Sequence, residues 1–142
     1  GSLLNTRYTL HINSAKRIFN KHDILFGKLR PYLNKYWYAQ EEGVCSSEIW
    51  PLIPKGVNPG FAAVLISSDI FQKHASVSEG TKMPRAKWDY ISNKLISIPK
   101  DRGEQKKIGE FIISLDNLIK KEEDKTKVIF QMKKGYIQRI FA

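Results

Sequence analysis

The last forty residues carry the pattern that most restricts how this chain can fold. From Glu104 to Phe141 there is no proline, and only two glycines interrupt residues that favour helices. Apolar residues recur there at alternating spacings of three and four, which is the heptad repeat of a coiled coil. This apolar seam consists of Ile108, Phe111, Leu115, Leu118, Ile129, Met132 and Tyr136, with the charged residues Glu122 and Lys125 keeping the spacing in the middle.

A helix over this stretch has a predicted length of more than about 50 Å, at about 1.5 Å per residue. One helix of that length cannot bury its seam alone, so the pattern predicts a partner helix. The alternative is a bent or split helix that folds back onto the rest of the chain.

The first hundred residues have a different pattern, which indicates a sheet-rich α+β domain. Short strands are predicted over 8–12, 36–39, 44–53 and 94–98. A brief apolar run over 23–26 leads into Gly27. Pro51 and Pro54 indicate that the far end of the 44–53 strand lies at a sheet edge or leaves the sheet.

Two helical patterns accompany these strands. The first covers 61–75 with an interruption at 67–69, where Ser68 is a candidate cap for a second short helix. The second covers 85–91 and follows a polar loop over 76–84. The predicted architecture is therefore an α+β domain followed by one long C-terminal coiled-coil helix.

The charge of the chain favours a polyanionic partner. Lysine and arginine number 24 against 14 aspartate and glutamate residues, a net charge of +10 over 142 residues. The excess is spread along the chain, with net +6 over residues 1–99 and net +4 over 100–142. Such a spread is typical of a shaped basic surface rather than a disordered basic tail, although many basic proteins bind nothing acidic.

Motifs for catalysis are absent from the sequence. The three histidines lie far apart and form no metal-ligand spacing, and there is no phosphate-binding loop, dinucleotide fingerprint or nucleophile elbow. The single Cys45 is predicted to be a buried structural thiol in a reducing, cytoplasmic setting. No apolar run is long enough for a membrane span. We therefore expect a non-catalytic module with no cofactor, no metal and no membrane partner.

Two loops combine basic residues with aromatics. Residues 28–35 and 80–88 carry cations that can bind guanine or phosphate, and Asn34 can bind adenine. The alternative for the first loop is an ordinary turn with Tyr32 and Leu33 in the core. For Arg30 and Arg85 the alternative is an internal salt bridge that fixes a loop.

Several of these segments together resemble one family. The segments are DILFGKLRPYLNK (23–35), VCSSE (44–48), GTKMPR (80–85) with Trp88 after it, ISIP (96–99), EQKKI (104–108), Leu115-Asp116 and KKGYIQRIF (133–141). In this order they resemble the specificity subunit of type I restriction–modification systems, and they cover most of the chain.

The resemblance implies a division into two parts. Residues 3–100 would be a target-recognition domain that lacks its N-terminal portion, and residues 101–142 would be the conserved spacer helix. The recognition domain would read one half of a bipartite double-stranded DNA target. The expected DNA contacts are Lys28, Arg30, Tyr32, Asn34, Lys35, Ser46, Ser47, Lys82 and Arg85.

The resemblance also implies partners. The spacer helix would pair with another spacer, from the second half of the subunit or from a second copy, and would set the distance between half-sites. It would dock methyltransferase subunits, which carry S-adenosylmethionine, and through them the restriction subunit. The rival interpretation is a coiled-coil interaction protein whose basic head binds acidic proteins or RNA.

Overall fold

The computed structural model describes residues 16–79 and 82–142, with Ser78 and Glu79 as backbone only, and these residues form short strands, short helices and one long helix. The strands are β1 (Lys16–Phe19), β2 (Ile24–Gly27), β3 (Tyr36–Tyr38), β4 (Gly43–Ser46), β5 (Ile49–Leu52), β6 (Ser78–Glu79) and β7 (Arg85–Ala86). The α-helices are α1 (Pro59–Ser67), α2 (Asp69–Ala75), α3 (Trp88–Ser92) and α4 (Arg102–Ile140). The predicted α+β class is confirmed, and the strand predicted over 8–12 lies outside the described residues.

The central strand of the head, as we call residues 16–99, is β2. It pairs antiparallel with β3 on one side and β5 on the other. Ile24 and Phe26 belong to the main core beneath α1 and α2, whereas Leu25 belongs to a smaller cluster with Phe19 and Cys45. Successive residues of a strand point to opposite faces, so β2 is covered on both. This explains its continuous apolar run.

The smaller cluster lies beside a second sheet, in which β1 pairs antiparallel with β4. Gly43 faces Phe19 across this pair, and a Cβ on Gly43 would lie 2.8 Å from the tip of the Phe19 ring. The absence of a side chain at Gly43 therefore makes room for the ring. Cys45 on β4 is buried and not in a disulfide, as predicted.

The prediction of a single strand over 44–53 is wrong. The chain turns at Ser47 and Glu48, so that β4 joins the sheet of β1 and β5 joins the sheet of β2. The residues at the turn, Ser46 to Glu48, include no glycine or proline, so the sequence does not mark the change of sheet. Among the described strands β5 lies at the edge of its sheet, which is one of the two predicted outcomes, and Pro51 is tolerated there.

Two further predictions in the head need correction. Residues 94–98 form no strand, because alternation orients side chains but does not supply a hydrogen-bonding partner; Leu95 is 99% exposed. The helix predicted over 85–91 begins only at Trp88, since Arg85 and Ala86 pair with β6 as β7. Ser68 does cap α2, as predicted, and its hydroxyl accepts a hydrogen bond from Phe71 N–H.

The C-terminal helix is confirmed as one continuous element of 39 residues, α4. The alternative of a bent or split helix folded back onto the head is not observed. Asp101 caps its start, where Oδ1 accepts a hydrogen bond from Glu104 N–H at 2.8 Å. At about 1.5 Å per residue the helix extends about 58 Å, well beyond the head.

The root of α4 is fixed to the head by two small features. Gln105 is 2% exposed; its Oε1 accepts from Asn58 N–H at 2.9 Å, and its Nε2 donates to Pro99 O at 2.7 Å. One turn later, a Cβ on Gly109 would lie 2.6 Å from Phe61 N. A buried amide with both ends satisfied and a glycine at the closest approach set where the helix leaves the head.

The seam faces away from this joint. Phe111 follows Gly109 by two residues, which is about 200° around the helix. Ile108 is half-buried, and the other six seam residues are between 39% and 65% exposed. The apolar seam is therefore open to a partner. None of the described helices is both long and apolar enough to cross a membrane.

Candidate nucleic-acid interface

Backbone hydrogen bonds join three loops that are distant in sequence. Lys28 N–H donates to Glu48 O at 3.0 Å, which ties the first loop (28–35) to the second (46–48). Arg30 N–H donates to Pro84 O at 2.8 Å and ties the first loop to the third (82–85). The same connection continues into β7, where Ala86 N–H donates to Lys28 O at 2.8 Å. We call these loops together the three-loop surface.

Left-handed residues shape the first loop. Arg30 (φ 52°) and Asn34 (φ 46°) bracket a short 3₁₀ helix over Pro31–Leu33. This conformation is uncommon for residues other than glycine, and here it turns the chain sharply on both sides of the buried Pro31. Tyr32 is 60% exposed and Leu33 is 46% exposed. The alternative that places these two side chains in the core is therefore wrong.

Most of the predicted DNA contacts are exposed on the three-loop surface. Arg30, Tyr32 and Lys35 lie in the first loop, and Lys28 there is half-buried. The predicted contacts in the other two loops, Ser46, Ser47, Lys82 and Arg85, are all exposed. Cations, hydroxyls and an aromatic ring in one place can bind phosphates and base edges. Their assignment as DNA contacts stays a prediction.

Asn34 has partners inside the head. Its Nδ2 donates to Ser67 O at 3.3 Å, and its Oδ1 accepts from Gln72 Nε2 at 2.6 Å. These bonds attach the first loop to α1 and α2. A contact between Asn34 and adenine stays a prediction, and it would have to use the second donor of Nδ2 and the second lone pair of Oδ1, or replace one of these two hydrogen bonds.

Arg85 also has an internal partner, as one of the alternatives expected. Its Nε donates to Glu48 Oε2 at 3.1 Å, across the second and third loops. The hydrogen bond from Arg85 lowers the pKa of the Glu48 carboxyl, and the positive charges of Arg85 and Lys28 act in the same direction. The Arg85 side chain remains 48% exposed, so an internal salt bridge and an external contact are compatible.

Sequence reasoning missed two cations beside this surface. Lys16 lies opposite Ser46 in the β1–β4 pair, and Arg17 lies opposite Cys45. Both side chains are exposed. Burial raises the pKa of the Cys45 thiol, and these two charges partly offset that effect. The sequence indicated these cations only weakly, through a pair of basic residues directly before Ile18 and Phe19.

Within residues 16–79 and 82–142, no three histidine, cysteine, aspartate or glutamate side chains converge as a metal site would require. His22 instead shares a 2.9 Å hydrogen bond with the Tyr38 hydroxyl, and the ring of His74 packs near that of Tyr90. The three-loop surface is therefore the arrangement of polar groups that we take as the candidate site.

Two comparisons with known proteins, one of sequence and one of fold, find the same kind of system. Residues 4–131 match the model of a family described as the type I restriction modification DNA specificity domain. No curated protein matches the chain. A chain from the structure described as "Structural basis underlying complex assembly and conformational transition of the type I R-M system" is similar in fold, with a TM-score of 0.64 and 19% identity. The similarity covers 78% of the present chain and 30% of that one.

Proposed function

The chain belongs to the family of type I restriction–modification DNA specificity domains, and from this premise we propose that its three-loop surface reads one half of a bipartite duplex target. The observation that carries the proposal is the union of three separate loops by backbone hydrogen bonds. This union brings together the backbones of the loops that carry Arg30, Lys82 and Arg85, and all three residues are exposed.

Rigid placement matters for this function. A phosphate contact tolerates a mobile lysine, whereas a hydrogen bond to a base edge requires a side chain in a set position. The first loop supplies such a position, because its backbone is bonded to both other loops and Asn34 anchors it to α1 and α2. The basic charge of the head adds the general attraction to DNA.

The proposed role of α4 is that of a spacer. Its open seam faces away from the head, which suits an antiparallel pairing with the equivalent helix of a second copy or of the other half of a longer subunit. Two heads at the ends of such a pair would be held at a set distance, and the distance would select the gap between half-sites. The exposed outer faces of the pair would dock the methyltransferase subunits, and through them the restriction subunit.

In this proposal the chemistry belongs to the partners. The described residues supply loops and a helix for recognition, while methyl transfer from S-adenosylmethionine and DNA cleavage take place in the other subunits. The expected role of the chain is therefore non-catalytic, with no cofactor of its own.

Binding of the full chain to duplex DNA at two salt concentrations tests DNA recognition. A DNA-binding head loses affinity steeply with salt, because it displaces counterions from the phosphates. Arg30→Ala or Arg85→Ala should weaken binding to the preferred sequence by about 1–3 kcal/mol where the arginine reads a base. A phosphate contact would instead weaken binding to all sequences and reduce the salt slope by about one unit.

Unchanged DNA binding in both variants would remove the assignment of these residues. Binding that is insensitive to salt, or that prefers RNA, would favour the coiled-coil interaction protein instead. Docking is tested separately, by copurification of the chain with a type I methyltransferase subunit followed by mapping of methylated sites. A bipartite motif whose gap changes when one heptad is deleted from α4 would support the spacer role, and an unchanged gap would contradict it.

A further inference from the structure

The Glu48 carboxylate lies at the junction of the three loops, next to Arg85. Both oxygens of Glu48 accept from the same guanidinium: Arg85 Nε donates to Oε2 at 3.1 Å and Nη2 donates to Oε1 at 3.5 Å. The backbone on either side of this pair is also held, since Glu48 O accepts from Lys28 N–H and Arg85 forms a β-bridge with Leu29. The Glu48 carboxylate therefore contacts the guanidinium through two of its nitrogens, Nε and Nη2.

An anion at this position is unfavourable for simple attraction to DNA. Glu48 is half-buried with its side chain 39% exposed, and it lies near two cations. The arginine hydrogen bond keeps its pKa low, so the group is charged wherever DNA binding would be measured. A negative charge repels phosphates and weakens sequence-independent binding. The Glu48 carboxylate can favour recognition of DNA only through its effect on Arg85, the residue with which it pairs.

The ion pair with Glu48 uses only one edge of the Arg85 guanidinium, the edge formed by Nε and Nη2. A guanidinium has five N–H donors, and the bonds to Glu48 engage the Nε side. Within residues 16–79 and 82–142, both donors of Nη1 and one of Nη2 have no partner, and two adjacent donors are what a bidentate contact to guanine O6 and N7 requires. The Arg85 side chain is 48% exposed, which lets that edge reach outward.

We propose that Glu48 is a positioning residue for sequence discrimination: it holds the Arg85 guanidinium for a guanine edge and withholds the same arginine from phosphates. This inference rests on the proposed function of the three-loop surface. A held side chain loses less conformational freedom when it meets the correct base. An arginine already paired with a carboxylate also gains less from a phosphate, which makes the correct base the preferred partner.

The opposing explanation is a clamp between loops. In that case the ion pair would join the second and third loops, Arg85 would contact no base, and removing either partner would alter stability without altering discrimination. The ratio of affinities for two DNA sequences separates the two explanations, because a change in stability alone moves both affinities together.

The experiment uses the full chain and a pool of duplexes with a randomised centre. The duplex most enriched by the wild-type chain serves as the target, and a scrambled duplex of the same composition serves as the non-target. Dissociation constants for both are measured for the wild type, Glu48→Gln, Arg85→Ala and the double variant. Glu42→Gln is the matched control, since it removes one exposed negative charge outside the three loops.

Glu48→Gln should weaken target binding about 2- to 12-fold, corresponding to the ordering of one long side chain at about 0.5–1.5 kcal/mol. Its affinity for the scrambled duplex should be unchanged or slightly higher, so the target to non-target ratio falls. Arg85→Ala should lower target affinity about 5- to 150-fold, from one bidentate base contact at about 1–3 kcal/mol. In the Arg85→Ala background, Glu48→Gln should lower the ratio no further.

Glu42→Gln should leave the ratio at the wild-type value. The inference is overturned if Glu48→Gln changes both affinities by the same factor, or if it still lowers the ratio when Arg85 is absent. Thermal unfolding of each variant, followed by tryptophan fluorescence, shows that the head is folded at the binding temperature. A wild-type chain that enriches no sequence would contradict the proposed function itself, which is a separate outcome.

Discussion

The core of the head buries its apolar residues, whereas the distal part of α4 leaves its apolar residues exposed. In the head, Phe26 is fully buried and Ile24 is 1% exposed, beneath helices of the same chain. On α4, no residue from 114 to 140 is buried. The core of the head is therefore filled by the head's own residues, whereas most of the helix needs a surface that the described part of this chain does not supply.

Local interactions contribute little to that helix. Lys125 pairs with Glu122 at 2.7 Å and Lys127 with Asp124 at 3.8 Å, both at exposed positions. Such pairs stabilise a helix by about 0.2–0.5 kcal/mol each. Pairing of the seam would supply the main stabilisation. Substitutions in the core of the head and on the exposed part of α4 test this contrast, because each should affect only one of the two regions.

The largest expected effect is in the core of the head. Phe26→Ala should lower the free energy of unfolding by about 3–5 kcal/mol, because the ring packs against Phe71 and Trp50 and leaves a cavity when removed. Urea unfolding followed by tryptophan fluorescence measures this directly, since all three tryptophans lie in the head. Phe130→Ala, at a 52% exposed site on α4, should leave the same transition in place. Equal shifts in both variants would show that the two regions unfold as one.

The next effect concerns association through the seam. Leu118→Glu should weaken pairing between two copies about 100-fold or more, because an unpaired carboxylate would be buried between the helices. Sedimentation equilibrium measures the association constant. Gln131→Glu is the control, since Gln131 lies about 200° around the helix from the seam residue Ile129. Equal weakening by both would show that the seam is not the contact face.

The same substitution at two glycines of α4 should have opposite signs. A Cβ on Gly109 would lie 2.6 Å from Phe61 N and 2.8 Å from Gly60 C, whereas one on Gly135 would meet nothing within 4 Å. Gly109→Ala should therefore destabilise the joint by about 1–3 kcal/mol. Gly135→Ala should stabilise the helix by up to about 1 kcal/mol. Thermal unfolding monitored by circular dichroism measures both, and a stabilising Gly109→Ala would contradict the close packing of α4 on α1.

The smallest expected effect is a pH dependence confined to the head. Burial raises the pKa of the Cys45 thiol, so in alkaline solution the unfolded chain loses this proton before the folded one does. The contribution to stability is complete below the ordinary thiol pKa and is lost as the pH rises through the raised value. The urea midpoint of the wild type should fall more over this range than that of Cys45→Ala. Parallel curves for the two proteins would contradict a raised thiol pKa.

Patterns between neighbouring residues were enough to predict several elements. The heptad spacing predicted α4 to within a few residues, and Ser68 was recognised as the cap of a short helix. The apolar run of β2 was visible as well. These features depend on helix periodicity, on side-chain capping and on burial of consecutive residues, all of which operate within a few positions of the chain.

Long-range pairing decided the remainder. The turn at Ser47 and Glu48 contains no glycine or proline, and it became visible only when β4 and β5 were placed in different sheets. The sequence singled out Arg85 and Asn34 for their donors, but not the Glu48 and Gln72 side chains that hold them. Gly109 was noted only as an interruption of the helix. Its contact with α1 depends on how two distant helices cross, and the same holds for every contact that joins the three loops, because no local pattern encodes which distant backbone groups will meet.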